Sequence, residues 1–166
     1  MEILIHACCA ICLLEPARLL RAEGHTLQVA WLNPNIQPRE EHDRRLDALL
    51  TVTELLELPL TRLPEMPYQP PTETLSADRC AYCYRLRLLP IARLAKQLGM
   101  AFTTTLLYSK YQRHEVVRRV AEDIAADLDV PFFYQDWRPR FNQGQSHARQ
   151  LQIYRQRYCG CEASKR

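Results

Sequence analysis

Short apolar runs alternate with amphipathic stretches along most of the chain. Ile3-Leu4-Ile5 opens it as a buried strand that runs straight into His6-Ala7-Cys8-Cys9-Ala10-Ile11-Cys12. Leu13 to Ala22 reads as a helix, closed at Glu23-Gly24 by a glycine C-cap. Leu27 to Leu32 is a second strand, bounded by Asn33-Pro34-Asn35. Pro38 opens a helix at its first turn, with Glu40, Glu41 and Asp43 near the positive end of the dipole. Leu46, Leu49, Leu50, Leu55 and Leu56 follow with helical period. Residues 59–77 are irregular and proline-rich; Leu60 to Leu63 reads as a short third strand and the rest as a loop. Ser76 or Asp78 caps the next helix, which runs to a Gly99 C-cap. Pro90 falls inside it and predicts a kink or two shorter pieces. Ala101 to Tyr108, β-branched and aromatic, is a buried strand. Val116, Val117, Val120, Ile124 and Leu128 mark an amphipathic helix. Pro131 to Tyr134 is a last short strand, and the polar tail from Phe141 to Tyr158 is predicted helical.

This alternation predicts one α/β domain, a mostly parallel sheet of about five strands with helices on both faces, Rossmann-like or HUP-like in outline. At 166 residues the chain is the size of one ordinary domain. In such folds ligands sit beyond the carboxyl ends of the strands. Cys8-Cys9-x-x-Cys12, Asn33-Pro34-Asn35, Tyr108-Ser109-Lys110 and Gln135-Asp136-Trp137-Arg138 each follow a predicted strand, so the unusual loops share one edge. With four glycines in all, neither a dinucleotide-binding nor a P-loop fingerprint is present.

Composition changes little in that picture. No run approaches the ~18 apolar residues of a membrane span, and no basic-then-apolar leader is visible, so the expectation is a cytoplasmic protein without a membrane partner. Charge is more informative. The net balance is +3, yet residues 137–166 hold seven basic side chains, Arg166 among them, against the single acid Glu162. Such a basic segment suits a polyanionic partner.

The seven cysteines carry the chemistry. In a reducing compartment clustered thiols point to metal or catalysis rather than to structural disulfides. Cys9-x-x-Cys12 and Cys80-x-x-Cys83 have the spacing at which two thiolates ligate one centre, and Cys159-Gly160-Cys161 adds a third tight pair. One CxxC is weak, since it serves redox exchange and zinc equally. Together the clusters are a strong signal. A closed zinc site takes four ligands and leaves three thiols over. An iron–sulfur cluster also takes about four thiolates, and the remainder, with a carboxylate such as Asp136, can hold a second metal. Spacing leaves iron–sulfur, zinc and metal-free thiol chemistry all open. The expectation is that the fold gathers the three clusters at one point, with the basic segment 137–166 completing the centre.

Several blocks then carry a resemblance: His6-Ala-Cys8-Cys9-Ala-Ile-Cys12, Asn33-Pro34-Asn35-Ile36-x-Pro38, Arg79-Cys80-x-x-Cys83-Tyr84, Phe102-Thr-Thr-Thr-Leu106, Asp136-Trp137-Arg138 and Tyr154-Arg155-Gln156-x-Tyr158-Cys159-Gly160-Cys161-x-x-Ser164. In this order, from His6 to Ser164, the chain resembles the QueH family of epoxyqueuosine reductases. It departs from the family pattern at Ile11, where proline is usual, and at Tyr108-Ser109-Lys110, where Ser-Pro is usual; neither change removes a ligand. The resemblance implies a cobalamin-free oxidoreductase for the last step of queuosine biosynthesis, reducing epoxyqueuosine at the wobble position of tRNA. It further implies a 4Fe–4S cluster with an additional mononuclear iron, and an electron donor of the ferredoxin or flavodoxin kind. The ligands it implies are Cys8, Cys9, Cys12, Cys80, Cys83, Cys159 and Cys161, with Asp136 as an oxygen ligand. A rival enzyme is an iron–sulfur tRNA thiolation or desulfuration enzyme; a rival of another class is a non-catalytic, zinc-stabilised RNA-binding module.

The remaining candidates each have a plain structural alternative. His6 is either a donor orienting a thiolate, an acid near the epoxide oxygen, or simply a hydrogen-bonded strand end. Asp136 and Arg138 are a site pair or a surface ion pair. Asn33 and Asn35 either contact substrate or serve turn chemistry. Tyr108, Tyr111 and Arg113 stack on and clamp a splayed anticodon base, or the tyrosines pack in the core. Arg155 holds phosphate or solvates a helix.

Overall fold

The computed structural model describes residues 1–165; Arg166, counted above in the basic segment, lies outside the described residues. Four parallel strands form one sheet in the order β3-β2-β1-β4, with β1 Glu2–His6, β2 Thr26–Trp31, β3 Leu60–Arg62 and β4 Ala101–Thr104. β1 is central, paired on both sides, with His6 opposite Ala30 of β2 and Thr104 of β4. Ile3, Leu4 and Ile5 are therefore fully buried, as a strand covered on both faces requires. The expected single α/β parallel sheet is the observed one, with one strand fewer. Pro131–Tyr134 contributes only a single bridge, Phe102 to Phe132, because Pro131 has no N–H to continue a ladder at the sheet edge.

The helices are α1 Ala10–Ala22, α2 Arg39–Leu55, α3 Ala77–Leu98, α4 His114–Leu128 and α5 Phe141–Gln150. α1 packs against α2 and α5, while α3 packs against α4. Three local expectations change. α3 runs unbroken through Pro90, since buried Leu88, Ile91, Ala92 and Ala95 hold the helix down on either side of the missing N–H. β4 stops at Thr104, whose hydroxyl accepts from the Leu106 amide and turns the chain into a short 3₁₀ segment, Thr105–Leu107. The tail helix ends at Gln150, and Gln152 has φ 56°, so residues 151–161 run as irregular chain instead of continuing to Tyr158 as helix.

The two edges of the sheet differ. At the amino edge α1, α2 and α3 return to the next strand, and α4 to the Pro131–Tyr134 segment, through tight turns at Gly24, Glu57, Gly99 and Asp129, all with positive φ. At the carboxyl edge the connections after β2, β3 and β4 are longer, and the connection after β1 carries Cys8 and Cys9. Among the described residues no helix is long and apolar enough to cross a membrane.

Candidate metal centre

The strand order reverses between β1 and β4, the crevice where open α/β sheets bind ligands. β1 delivers Cys8 and Cys9 into that crevice. The Cys8 amide donates to Thr105 Oγ1 at 2.9 Å, and the same hydroxyl donates to Cys8 Sγ at 3.1 Å, so the chain after β4 holds the thiol after β1. Cys9 is the N-cap of α1, its sulfur accepting from the Cys12 amide at 3.3 Å. The ligand atoms of Cys8, Cys9 and Cys12, all buried, lie within 4.8 Å of one another. Cys9 and Cys12, expected as metal ligands rather than disulfide partners, are paired as a disulfide with their Cα atoms 5.4 Å apart. The physical reason is the CxxC at a helix start, which faces two sulfurs across one turn, the same placement that serves two ligands of one metal.

The other four cysteines form a second group. Cys80, Cys83, Cys159 and Cys161 line one small pocket together with Asn35, Arg79 and Arg87. Cys80 and Cys83 belong to the first turns of α3, where Ser76 caps the helix and the dipole favours thiolates. Three of the four sulfurs have a side-chain neighbour in hydrogen-bond reach. Arg79 Nη2 donates to Cys161 Sγ at 3.0 Å, Tyr68 Oη lies 3.2 Å from Cys83 Sγ, and Ser164 Oγ lies 2.9 Å from Cys159 Sγ. A hydrogen bond between Cys159 and Cys161 holds the Cys161 thiol below its ordinary range and the Cys159 thiol above it, and Arg79 adds to the first shift. Burial raises Cys8 and Cys83. Buried Arg87 is bonded to the Cys83 carbonyl, and its charge reaches Cys8, Cys83 and Cys159, opposing those rises. The three sequence clusters thus resolve into two neighbouring groups of three and four sulfurs, with Arg87 acting on both, rather than one point. The Cys8, Cys9 and Cys12 sulfurs are near enough to share one metal ion, while the four-thiol pocket offers soft sulfurs met by N–H and O–H groups, with the buried Asn35 Oδ1 left without a partner on its wall.

Cys159 and Cys161 are delivered by a clamp that spacing does not reveal. Arg45 on α2, only 2% exposed, donates to Cys159 O at 3.1 Å, Tyr158 O at 2.8 Å and Glu41 Oε1 at 2.9 Å. Tyr154 donates to both Glu41 oxygens at 2.9 and 2.7 Å, and the Gln37 amide donates to Gly160 O at 2.9 Å. Gly160 has φ 112° and packs so tightly on Ile36 that an added Cβ would stand 2.8 Å from Ile36 Cγ1. The only sequence signal was the Glu41–Arg45 spacing of one helical turn.

The other predicted residues divide sharply. His6 is fully buried, Nδ1 against Thr104 Oγ1 at 2.9 Å and Nε2 against Asn33 Oδ1 at 3.1 Å and Leu32 O at 3.2 Å. Burial lowers its pKa to about 3, so it is a neutral pivot pinning the β2 and β4 ends. Asn33 completes that pivot by donating to Ala7 O at 3.0 Å. Asp136 is not in the three-sulfur group: its carboxylate is bound by Arg138, at 2.9 Å from Nε and 2.7 Å from Nη2, and by the Arg138 amide at 3.0 Å. Where the expectation is an oxygen ligand, the structure holds this carboxylate in a partly exposed ion pair. Tyr108 is core, stacked on Phe141 and donating to Phe141 O at 2.8 Å. Tyr111 is 65% exposed, edge-on to Phe141 with Lys110 beside both rings. Arg113, Arg138 and Arg155 are exposed.

The sequence model of the family described as "Epoxyqueuosine reductase QueH" matches residues 3–166. A relative of that name from Dehalococcoides mccartyi is 32% identical over 99% of this chain and 92% of its own length. Another from Thermotoga maritima is 30% identical over 96% of this chain and 88% of its own. Among solved structures, a predicted subunit of tRNA methyltransferase from Methanocaldococcus jannaschii superposes with a TM-score of 0.56, covering 90% of this chain and 74% of that one. At 7% identity that likeness is one of fold.

Proposed function

The chain belongs to the QueH family of epoxyqueuosine reductases, and from that premise we propose that it reduces epoxyqueuosine to queuosine at the wobble position of tRNA. The reaction takes two electrons and two protons; the two carbon–oxygen bonds of the epoxide break, a carbon–carbon double bond forms, and the oxygen leaves as water. The observation that carries this reading is the buried Cys8, Cys9 and Cys12 group after β1, with the other four cysteines lining one pocket. Four thiolates are the number a 4Fe–4S cluster takes. Cys80, Cys83, Cys159 and Cys161 would hold it, and Cys8 with reduced Cys9 and Cys12 would hold the additional iron. When bound, such a centre supplies electrons and a Lewis acid for the epoxide oxygen.

The chain's own groups do the rest. Arg87 and Arg79 offset the negative charge that thiolates gather in a buried site. His6, neutral, keeps the Asn33 turn and Thr104 in register beside the sulfurs. Residues 63–76 reach the four-thiol pocket through Leu75, which lines it, and Tyr68, whose hydroxyl meets Cys83 Sγ. The exposed Lys110, Tyr111, Arg113, Arg138 and Arg155 would meet the anticodon arm, the tyrosine by stacking and the cations by phosphate contact. A ferredoxin- or flavodoxin-like protein would supply the electrons, and an enzyme acting on tRNA would work in the cytoplasm. The test is anaerobic iron and sulfide analysis coupled to nucleoside assay on epoxyqueuosine-containing tRNA. A full iron–sulfur load with no queuosine formed refutes the proposal.

A further inference from the structure

Beyond the carboxyl ends of β2 and β3 lies a second cavity, of about 220 Å³, walled by Trp31, His42 and Tyr68 with Glu65 and Arg39 among its polar groups. It adjoins the four-thiol pocket, because Tyr68 lines the cavity and its hydroxyl lies 3.2 Å from Cys83 Sγ. Its volume is below the roughly 300 Å³ at which drug-sized ligand pockets begin, so it admits one fused ring system and not a whole nucleotide. Trp31 is buried and edge-on to His42, with ring centroids 5.4 Å apart, which gives the cavity a stiff aromatic wall. Glu65 is the only carboxylate among the lining residues. Arg39 Nη1 fixes its Oε2 at 2.6 Å, and its Oε1 lies 3.9 Å from His42 Nε2, so the group is held in place with lone pairs to spare.

We propose that this cavity receives the 7-deazaguanine ring of the substrate, swung out of the anticodon loop, and that Glu65 reads its N1–H and amino group. The proposal rests on the reductase reading above and names the part of the substrate that the cavity recognises. The chemistry discriminates. A guanine-type edge presents two adjacent donors, which a carboxylate accepts with its two oxygens. Adenine and cytosine set an acceptor nitrogen beside their amino group, and uracil flanks its single N–H with carbonyls. Each would turn a lone pair towards Glu65. Arg39 and Gln37, which also line the cavity, are donors of the kind that the ring's carbonyl oxygen needs. The C7 arm bearing the epoxide is on the side of the ring away from the edge read by Glu65. A wobble base lies in a single-stranded loop, where unstacking costs least.

The experiment is calorimetric titration of the iron-loaded protein with free 7-deazaguanine and with 7-deazaadenine, in wild type, Glu65→Gln and Glu65→Ala. The Glu65 side chain is 48% exposed on an irregular segment, so both variants should fold, and iron content and circular dichroism check that they do. The expectation is that 7-deazaguanine binds wild type at least about tenfold more tightly than 7-deazaadenine, and that Glu65→Ala weakens it about tenfold to a hundredfold. Glu65→Gln should weaken it too, because an amide accepts at one atom only. Equal binding of the two bases, or undiminished binding by Glu65→Ala, overturns the proposal. The two readings separate cleanly. Queuosine formed by Glu65→Ala at an unchanged KM removes the cavity's role and leaves the reductase standing. Selective 7-deazaguanine binding by a loaded wild type that forms no queuosine does the opposite.

Discussion

Replacing Arg45 by methionine should detach the segment that carries Cys159 and Cys161 while leaving the sheet intact. Methionine keeps most of the side chain's length and volume, so what is lost is the guanidinium and its bonds to Cys159 O, Tyr158 O and Glu41. Glu41 is itself 9% exposed and would keep only Tyr154 as a partner. Breaking one side of a buried ion pair costs about 3–5 kcal/mol, most of it from the stranded charge. For a domain of this size that is roughly 6–20 °C in Tm at about 2–4 °C per kcal/mol. Anaerobic urea denaturation and iron and sulfide analysis read the two consequences. The variant should unfold earlier and lose sulfide together with most of its iron, because half of the four-thiol group is no longer held. Adding Glu41→Gln should recover part of the stability, since no unpaired charge is then buried, but not the sulfide. A variant within about 1 kcal/mol of wild type that keeps its full sulfide load would show that the tail is held by something other than this clamp.

The two thiol groups should separate on loading: Cys161→Ala should abolish bound sulfide, whereas Cys12→Ala should lose about one iron and retain sulfide, as read by metal analysis and visible absorption. Gly144→Ala should cost about 1–3 kcal/mol, because an added methyl on α5 would overlap the hydroxyl of buried Tyr108; thermal unfolding measures it. His114 is buried with its pKa lowered by desolvation and by Arg138, so the folded state holds it neutral while the unfolded chain, near 6.5, takes up a proton. Its contribution is thus present above about pH 6.5 and lost as pH falls from there towards the depressed folded value, and denaturation midpoints of His114→Gln should fall less steeply across that window.

The parallel sheet is legible in the sequence because a strand covered on both faces must read as an unbroken apolar run, as Ile3–Ile5 does. The helices are legible because their buried faces repeat, and Val117, Val120, Ala121 and Ile124 of α4 show it. What sequence cannot supply is the end of an element decided by a side chain. Thr104 stops β4 with its hydroxyl, and nothing in Ala101–Tyr108 distinguishes that threonine from its two neighbours. The seven thiols are legible from spacing, but their division into three and four depends on where α2 pins the tail. Spacing shows the Glu41–Arg45 pair but is blind to the clamp, because the carbonyls that Arg45 holds are more than 110 positions away. Asp136 shows the limit from the other side: its place after Pro131–Tyr134 on the carboxyl edge is legible, but the grip of Arg138, two positions on, upon its carboxylate is not.

The contrast between the sheet's two edges also has a practical side. The turns at Gly24, Glu57, Gly99 and Asp129 are short, at the surface and remote in the fold from every cysteine. They are handles. A peptide epitope, a fluorophore on an introduced side chain or a tether to a solid support attached there would leave the crevice facing outward. Immobilised that way, the protein would present its cysteine edge in one orientation, which suits wiring to an electrode or watching single RNA molecules arrive.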